Sequence, residues 1–282
     1  MATLNILYED PHILVCVKPH GIATQSKSIR YPDMVSLIKN HLAKASGTSG
    51  KSGAPKSIGS RTPGSAEPYL AVIHRLDQPV AGILVFAKTP AAAKDLNKQL
   101  QNQGFGKYYR ALVANTPSTK EGTLENYMVK DARTNTSRIC SAKENGSKIA
   151  RLHYDTVPVT DWLFTAPAAF HGTELEIHLD TGRHHQIRVQ MAYHGMPLYG
   201  DMKYGVPVGT AKLDKKENAD QGTMKAAGNR NMPGIRTAGN MGSGRESIAL
   251  CASSLNFFHP VTKKEMTFEI EPVGGAFQLF QV

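Results

Sequence analysis

The sequence predicts an α+β protein with a mixed, mostly antiparallel central sheet flanked by helices. Three observations support this class: short apolar runs bounded by turn residues recur along the chain, few segments carry helix start signals, and repeated strand–helix–strand units are rare. The chain has 282 residues, of which 40% are hydrophobic, which is enough for a sizeable core. We expect a single domain over residues 1–282.

The first predicted elements are a hairpin and a helix. Residues 4–8 and 13–18 are apolar runs on either side of Glu9-Asp10-Pro11, a sequence typical of a turn. Asp33 has a side chain suited to a helix N-cap, and apolar residues follow it at helical spacing to about residue 43. These two elements open the predicted domain.

Two further helices are indicated by their end signals. Thr89-Pro90 combines an N-cap residue with proline at the first helical position, and this helix should end near residue 102. A third helix is predicted over residues 185–194, followed by Gly195 as its terminating glycine. The remaining apolar runs predict strands at residues 71–73, 83–87, 107–114, 123–129, 149–157, 173–180, 248–252, 255–258 and 265–270.

Two segments lack the pattern of a packed protein. Residues 44–68 contain six Ser, five Gly and no aromatic residue, and residues 206–245 contain seven Gly and no aromatic residue. Such segments bury too little apolar surface to offset the entropy cost of ordering. We interpret both as flexible, low-complexity insertions within the domain.

The charge and cysteine content narrow the functional class. Lys and Arg outnumber Asp and Glu by 33 to 23, and the net charge of +10 suits a polyanionic partner such as nucleic acid. Cys16, Cys140 and Cys251 are far apart and form no Cys-x-x-Cys pair, so they predict neither a disulfide framework nor a cysteine zinc site. From its N-terminal residues we expect neither a signal nor a transit peptide, and the sequence has no apolar run long enough to cross a bilayer. We expect an intracellular protein, in the cytoplasm, the nucleus or an organelle.

Ionisable residues interrupt the apolar pattern at one place in the first half of the chain. His74, Arg75 and Asp77 lie between two apolar runs, where burial of charge is costly. Taken alone, an Asp at a strand end is most often a cap or an ion-pair partner. A break of this kind in the local pattern also indicates a functional site.

A second charged block follows a predicted strand in the second half of the chain. It reads Thr-Gly-Arg-His-His-Gln-Ile-Arg over residues 181–188 and places Arg183, Gln186 and Arg188 close together. An arginine beside a carboxylate would keep that carboxylate ionised and oriented for nucleophilic or basic chemistry. In a third block, Tyr109 shares a strand face with Lys107, a position that core packing alone would also explain.

Together these blocks resemble the RluA-like pseudouridine synthases, in the order that the family shows and over about residues 4–271. The His-Arg-Leu-Asp block and the Gly-Arg-x-His-Gln-Ile-Arg block are the most specific. The matching segments are residues 7–15, Lys18-Pro19-His20-Gly21, His74-Arg75-Leu76-Asp77 with Gly82, Ala87-Lys88-Thr89, Lys107-Tyr108-Tyr109, residues 181–188, Gly200-Asp201, Lys203-Tyr204-Gly205 and His259-Pro260.

The resemblance implies the pseudouridine synthase fold, with an RNA-binding active-site cleft. It implies isomerisation of specific uridines in structured ribosomal or transfer RNA to pseudouridine, without cofactor or metal. Asp77 would be the catalytic Asp, Tyr109 would lie against the base, Arg188 would pair with the Asp, and Arg75 would support flipping of the nucleotide. The further candidates for substrate binding are His74, Arg183 and Gln186.

The sequence also departs from the family. Gln78-Pro79-Val80-Ala81 replaces a stretch that commonly contains Thr-Ser-Gly. The resemblance therefore does not predict which contacts this loop makes, although it still assigns the role of Asp77. Because the catalytic pattern starts at residue 4, we expect one catalytic domain over residues 1–282, without the separate N-terminal RNA-binding domain of many members. We expect RNA as the partner, a monomeric state, and no membrane association.

Three alternatives are weighed against this interpretation. A catalytically inactive RNA-binding protein of the same fold would lack an intact Asp–Tyr–Arg set. A metallohydrolase would use histidines such as His184, His185 and His194, but the sequence has no His-Glu-x-x-His motif, and adjacent histidines on a helix are expected to point apart. A glycosidase would need a second carboxylate, and none accompanies Asp77 in these motifs.

Overall fold

The structure, a computed structural model, describes residues 4–26, 31–45, 67–102, 104–157, 172–205, 248–274 and residue 277. The predicted insertions lie almost wholly outside these residues, in 46–66 and 206–245. The exceptions are Lys44 and Ala45, which form the end of the first helix, and Glu67 and Pro68, which are also described. The first predicted insertion therefore overlaps the described residues by two positions at each end.

The described residues form eleven strands and three helices. The strands are β1 (Asn5–Glu9), β2 (Ile13–Lys18), β3 (Ala71–Val72), β4 (Ala81–Ala87), β5 (Gly106–Val113), β6 (Glu121–Asp131), β7 (Thr136–Cys140), β8 (Lys148–Thr156), β9 (Thr173–Leu179), β10 (Leu250–Phe258) and β11 (Glu265–Glu269). The helices are α1 (Met34–Ala45), α2 (Pro90–Gln101) and α3 (Gln186–Tyr193). Each of these helices is too short and too polar to cross a membrane.

All the strands belong to one sheet. Its main path runs β1-β2-β4-β10-β5-β9-β8-β6-β7, while β3 pairs with β4 and β11 pairs with β10. The pair β4–β10 is parallel, and the other pairings between the strands are antiparallel. The predicted α+β class with a mixed, mostly antiparallel sheet is confirmed.

Two strands differ from the sequence prediction. The runs 248–252 and 255–258 are parts of one strand, β10, because the irregularity in register between Cys251 and Ser254 does not end the pairing with β5. Strand β7 was not predicted, because its sequence Thr-Ser-Arg-Ile-Cys has little apolar pattern. Among the described strands it pairs only with β6. Both β7 and β10 are therefore determined by pairing with a neighbouring strand, and not by the intrinsic strand propensity of their residues.

The predicted capping residues start the first two helices. The Asp33 carboxylate accepts a hydrogen bond from Ser36 N at 2.7 Å, at the start of α1. Thr89 Oγ1 accepts one from Ala92 N at 3.2 Å, and Pro90 is the first residue of α2. These bonds satisfy backbone N–H groups that have no partner within a helix, and so they fix where each helix begins.

The core lies on both faces of the sheet. Every residue of β2 and β4 is buried, and alternate residues along these strands belong to two different apolar clusters. Helices α1 and α3 pack into one cluster, and α2 packs into the other. Gly82 lies where β4 meets β10, and a Cβ at this position would be 2.4 Å from the carbonyl oxygen of Ala252. The close parallel contact of these strands therefore requires glycine here.

A buried lysine connects the end of β2 to the loop that precedes β4. The Lys18 side chain is fully buried, and Nζ donates hydrogen bonds to the carbonyl oxygens of Pro19, Ile22 and Gln78 at 3.1, 2.6 and 3.1 Å. Burial lowers the pKa of Lys18, whereas the negative charge of Asp77 opposes that shift. Lys18 thereby holds the loop that carries Asp77 against the sheet.

Replacement of Lys18 tests this connection. Lys18→Met keeps a long apolar side chain but leaves three carbonyl groups without their donor, and we expect a loss of about 2–4 kcal/mol in the free energy of unfolding. Urea unfolding at pH 7 followed by circular dichroism measures this change. The control Lys94→Met, at an exposed position of α2, should change it by less than about 0.5 kcal/mol. Equal stability of the two variants would contradict the structural role of Lys18.

Candidate active site

The three charged blocks of the sequence meet in one open cleft. The loop before β4 contributes Arg75 and Asp77, and β5 contributes Tyr109. The turn after β9 and the first turn of α3 contribute Gly182, Arg183, His185, Gln186 and Arg188. Residues more than 100 positions apart in the chain thus form a single polar site with apolar walls.

Asp77 lies at this cleft with a half-buried carboxylate. Its Oδ2 atom is 3.4 Å from Arg188 Nη1 and 3.6 Å from His185 Nε2. The main chain on both sides of Asp77 is also fixed, since Thr24 Oγ1 bonds to both the N–H and the carbonyl of Leu76, and Gly21 N donates to the carbonyl of Gln78. The carboxylate is therefore held in place both by its side-chain neighbours and by its backbone.

Arg188 is fixed mainly by a second carboxylate. Its Nε and Nη2 atoms donate to the two oxygens of Asp201 at 2.8 and 2.7 Å, and both side chains are almost completely buried. Burial disfavours the charged form of the guanidinium, but the hydrogen bonds and the charge of Asp201, together with Asp77, raise the pKa of Arg188. The predicted contact between Arg188 and Asp77 is present, and it is made by Nη1, whereas Nε and Nη2 bind Asp201.

Asp201 was not among the site residues predicted from the sequence. Its Oδ1 atom also accepts hydrogen bonds from the backbone N–H groups of Lys203 and Tyr204, at 2.9 and 3.2 Å. A buried arginine needs a carboxylate partner. The block Gly200-Asp201, which follows α3 closely, was the signal in the sequence that could have identified this partner.

The start of α3 differs from the prediction. The helix begins at Gln186, one residue later than expected, because His185 adopts a left-handed backbone conformation with φ = 55°. The expectation that His184 and His185 point apart is wrong: their rings stack with centroids 3.7 Å apart. The reason is that His185 precedes the helix and does not follow helical geometry.

Tyr109 presents a buried ring and a hydroxyl to the cleft. Its side chain belongs to the same apolar cluster as α1 and α3 and is 8% exposed. Burial raises the pKa of Tyr109, and the negative charge of Asp77 raises it further. The raised pKa keeps the hydroxyl protonated at neutral pH. Among the described residues no hydrogen bond engages it, so it is available to a bound molecule.

The other predicted substrate-binding residues occupy different environments. Arg75 is exposed at the cleft, and Arg183 Nε donates to the carbonyl of Ile149 at 2.7 Å. Gln186 is buried, and its amide holds the turn through Thr181, Arg183 and the Arg151 carbonyl.

His74 lies outside the cleft lining. Its Nε2 atom accepts a hydrogen bond from Val85 N at 3.4 Å, and its ring packs edge-on against Phe105. Burial lowers the pKa of His74 to about 4, so the imidazole is neutral at pH 7. The position of His74 favours a packing role beneath the loop that carries Asp77.

No cluster of metal ligands accompanies this site in the described residues. No group of three or more His, Cys, Asp or Glu side chains there is arranged to hold a metal ion. Cys16, Cys140 and Cys251 are all free, as the spacing of the cysteines predicts. The chemistry that the cleft offers is that of a carboxylate beside a fixed guanidinium, a tyrosine hydroxyl and a neutral histidine.

Sequence comparison relates the chain to enzymes that modify RNA. The family model described as RNA pseudouridylate synthase matches residues 12–193. An uncharacterized RNA pseudouridine synthase of Aquifex aeolicus is 28% identical over 269 residues, which cover 95% of this chain and 69% of the relative. The ribosomal large subunit pseudouridine synthase D of Nitrosomonas europaea is 34% identical over 206 residues, 72% of this chain and 50% of the relative.

Solved structures share the fold. Human RNA pseudouridylate synthase domain containing 4 has a TM-score of 0.60 and 18% sequence identity, over 95% of this chain and 88% of that one. Human RNA pseudouridylate synthase domain containing 1 has a TM-score of 0.61 and 16% identity, over 95% and 83%. At these identities the likeness shows the fold, which the sequence analysis had predicted.

Substitution of Asp201 tests the buried ion pair. Asp201→Asn keeps the oxygen that accepts the backbone hydrogen bonds but leaves the charge of Arg188 buried without its main partner. We expect a loss of about 3–5 kcal/mol in the free energy of unfolding, measured by urea titration. The control Asp155→Asn, at an exposed position of β8, should have little effect. The double variant Arg188→Met with Asp201→Asn should be more stable than Asp201→Asn alone, and the opposite order would contradict the proposed pairing.

Proposed function

Because the chain belongs to the RNA pseudouridylate synthase family, we propose that it converts uridine in structured RNA to pseudouridine and that Asp77 supplies the reacting carboxylate. The observation that carries this proposal is the position of Asp77 in the cleft. Its carboxylate is half-buried, accessible from the cleft, and 3.4 Å from the fixed guanidinium of Arg188. A carboxylate held in this way is oriented to act as a nucleophile or a base.

The reaction is an isomerisation, so the site needs no oxidant and no second substrate. The N1–C1′ bond of uridine breaks, the base rotates, and a C5–C1′ bond forms. The proton on C5 then leaves to solvent, and N1 takes up a proton. Asp77 would act at the ribose during bond cleavage, while Arg188 keeps the carboxylate charged.

Tyr109 and Arg75 have complementary roles in this proposal. The ring of Tyr109 forms part of the cleft wall, where a flipped base would lie against it. Arg75 is exposed at the cleft, and its planar guanidinium is suited to fill the space that the flipped nucleotide leaves in the RNA stack. Extrusion of the target uridine would otherwise cost the unstacking energy without compensation.

The proposed substrate class is ribosomal RNA. Relatives from Zymomonas mobilis and Nitrosomonas europaea are named ribosomal large subunit pseudouridine synthase D, which favours ribosomal over transfer RNA. The net charge of +10 supports binding to a polyanion, with an affinity that falls as salt is raised. The intracellular setting and the monomeric state stay predictions.

An inactive RNA-binding protein of the same fold is the alternative. Such a protein would not need an accessible carboxylate, a buried arginine and a tyrosine hydroxyl in one cleft. Asp77, Arg188 and Tyr109 are all present and close together here, and this favours an active enzyme.

Substitution of Asp77 tests the proposed function. Asp77→Asn keeps the shape of the side chain but removes its charge, and an amide is a poor nucleophile and a poor base. We expect pseudouridine formation to fall below detection, measured as tritium release from ribosomal RNA that carries uridine labelled at C5. RNA affinity in a titration at fixed salt should stay the same or rise slightly, because a negative charge is lost from a basic cleft.

The control for this experiment is Asp155→Asn, which removes a charge from the exposed surface of β8. Its turnover should match that of the unmodified protein. Substantial turnover by purified Asp77→Asn would show that another group performs the chemistry. Unmodified protein that binds RNA but releases no tritium from any ribosomal or transfer RNA would support the inactive alternative.

The role of Arg75 is tested with two RNA substrates. Arg75→Ala should reduce turnover on a folded stem-loop more than on an unstructured strand with the same uridine, because only the folded RNA has stacking to replace. Unstacking costs a few kcal/mol, so we expect about a tenfold or larger difference between the two losses. Arg133→Ala, at an exposed turn between β6 and β7, serves as the matched control. An equal loss on both substrates would exclude a role of Arg75 in flipping.

A further inference from the structure

We infer that His185, fixed by the hydroxyl of Tyr204, is a positioning residue that holds one oxygen of Asp77 and leaves the other for the substrate. This inference rests on the proposed function, in which Asp77 reacts. His185 Nε2 lies 3.6 Å from Asp77 Oδ2, the same oxygen that Arg188 Nη1 approaches at 3.4 Å. The His185 contact is longer than a hydrogen bond, and contacts between catalytic groups are often long in the free enzyme and tighten when substrate binds.

The backbone directs His185 toward Asp77. Its left-handed conformation, with φ = 55°, turns the side chain out of the path that helix α3 follows from Gln186 onward. The ring is then enclosed, with His184 stacked on it at 3.7 Å and the ring of Tyr204 at 5.5 Å in an edge-on arrangement. His185 is 8% exposed, so its orientation is set by packing.

The hydrogen bonds around Tyr204 determine which ring nitrogen of His185 carries the proton. Ser137 N can only donate, and it bonds to the Tyr204 oxygen at 2.8 Å. The Tyr204 hydroxyl lies 2.7 Å from His185 Nδ1. If Nδ1 were the donor, the Tyr204 proton would have no acceptor among the described residues. Tyr204 therefore donates to Nδ1, and the proton of a neutral His185 is on Nε2, the nitrogen nearest Asp77.

The charged neighbours of His185 favour this neutral form. Burial lowers the pKa of His185 to about 4, against the opposing charge of Asp77. The nearby basic groups, which belong to Arg188, His184 and Lys203, lower it further. Burial also raises the pKa of the Tyr204 hydroxyl to about 12, so this group stays protonated and can donate at neutral pH.

The consequence is an asymmetric carboxylate. Arg188 and His185 both approach Oδ2 of Asp77, whereas Oδ1 makes no hydrogen bond among the described residues. We therefore assign Oδ1 as the oxygen that reacts with the ribose. His185 prevents rotation of the carboxylate about its Cβ–Cγ bond, so the loss of its Nε2–H should slow the reaction step without weakening RNA binding.

Two substitutions at position 185 test this role. Asn tolerates the left-handed backbone but is too short to reach Asp77, whereas Gln has an amide nitrogen near the position of Nε2. We expect His185→Asn to lower kcat by about 10–100-fold, by analogy with residues that orient catalytic groups, with KM and RNA affinity within about twofold. His185→Gln should recover most of the loss. Equal kcat values for the two variants, or a change in KM alone, would overturn the inference.

A substitution of Tyr204 provides an independent test if the His185 variants fold poorly. Tyr204→Phe keeps the ring, over which the Arg188 guanidinium lies at 5.2 Å, and removes the hydroxyl that bonds to His185 and to Ser137 N. We expect a loss of kcat of about tenfold or more, with some loss of thermal stability because Ser137 N loses its acceptor. The control Tyr193→Phe, at an exposed position of α3, should keep full activity. Unchanged kcat in Tyr204→Phe would contradict the role of this hydroxyl.

The same assay separates the two proposals. Asp77→Asn is measured beside these variants by tritium release from C5-labelled uridine. If Asp77→Asn is inactive but His185→Asn keeps the full kcat, the positioning role of His185 is wrong and the proposed function stands. If Asp77→Asn is active, another group performs the chemistry and the role of His185 fails with that of Asp77. If the unmodified protein releases no tritium, the proposed function itself is wrong.

Discussion

The site depends on one buried guanidinium. Removing the charge of Arg188 from water is costly, and the cost is offset only when the charge is fully paired. Asp201 pairs with it through two hydrogen bonds and is itself fixed by the backbone N–H groups that follow it. This leaves Nη1 of Arg188 directed at Asp77. The orientation of Asp77 therefore derives from an ion pair that lies deeper in the protein.

A second constraint acts on Asp77 through its backbone. The loop is held by Lys18, the last residue of β2, and by Gly21 and Thr24 in the segment that follows. Their hydrogen bonds go to Leu76 and Gln78, the residues on either side of Asp77. Local residues alone would leave this loop free to move, and free movement would separate the carboxylate from Arg188. Backbone hydrogen bonds fix where the side chain begins, while Arg188 and His185 fix where it points. Such preorganisation reduces the cost of reaching the reactive geometry.

The elements that the sequence predicted well are those with local causes. The β1–β2 hairpin, the caps at Asp33 and Thr89 and the alternation along β9 follow from residues within a few positions of each other. The predictions that failed depend on strand pairing, with an adjacent strand in the case of β7 and with a distant strand in the case of β10. Strand β7 exists because it pairs with β6, and the two predicted strands that form β10 are joined by pairing with β5.

The sequence by itself determined the fold class, the family resemblance, and the residues Asp77, Tyr109 and Arg188 as members of one site, since these follow from local patterns and motifs. Only the tertiary structure decided how their charges are paired. Asp201, not Asp77, is the main partner of Arg188, and His185 stands beside Asp77 because its backbone leaves the helical path. The physical reason is that the pairing of buried charges depends on distances in space, which the order of residues along the chain does not specify.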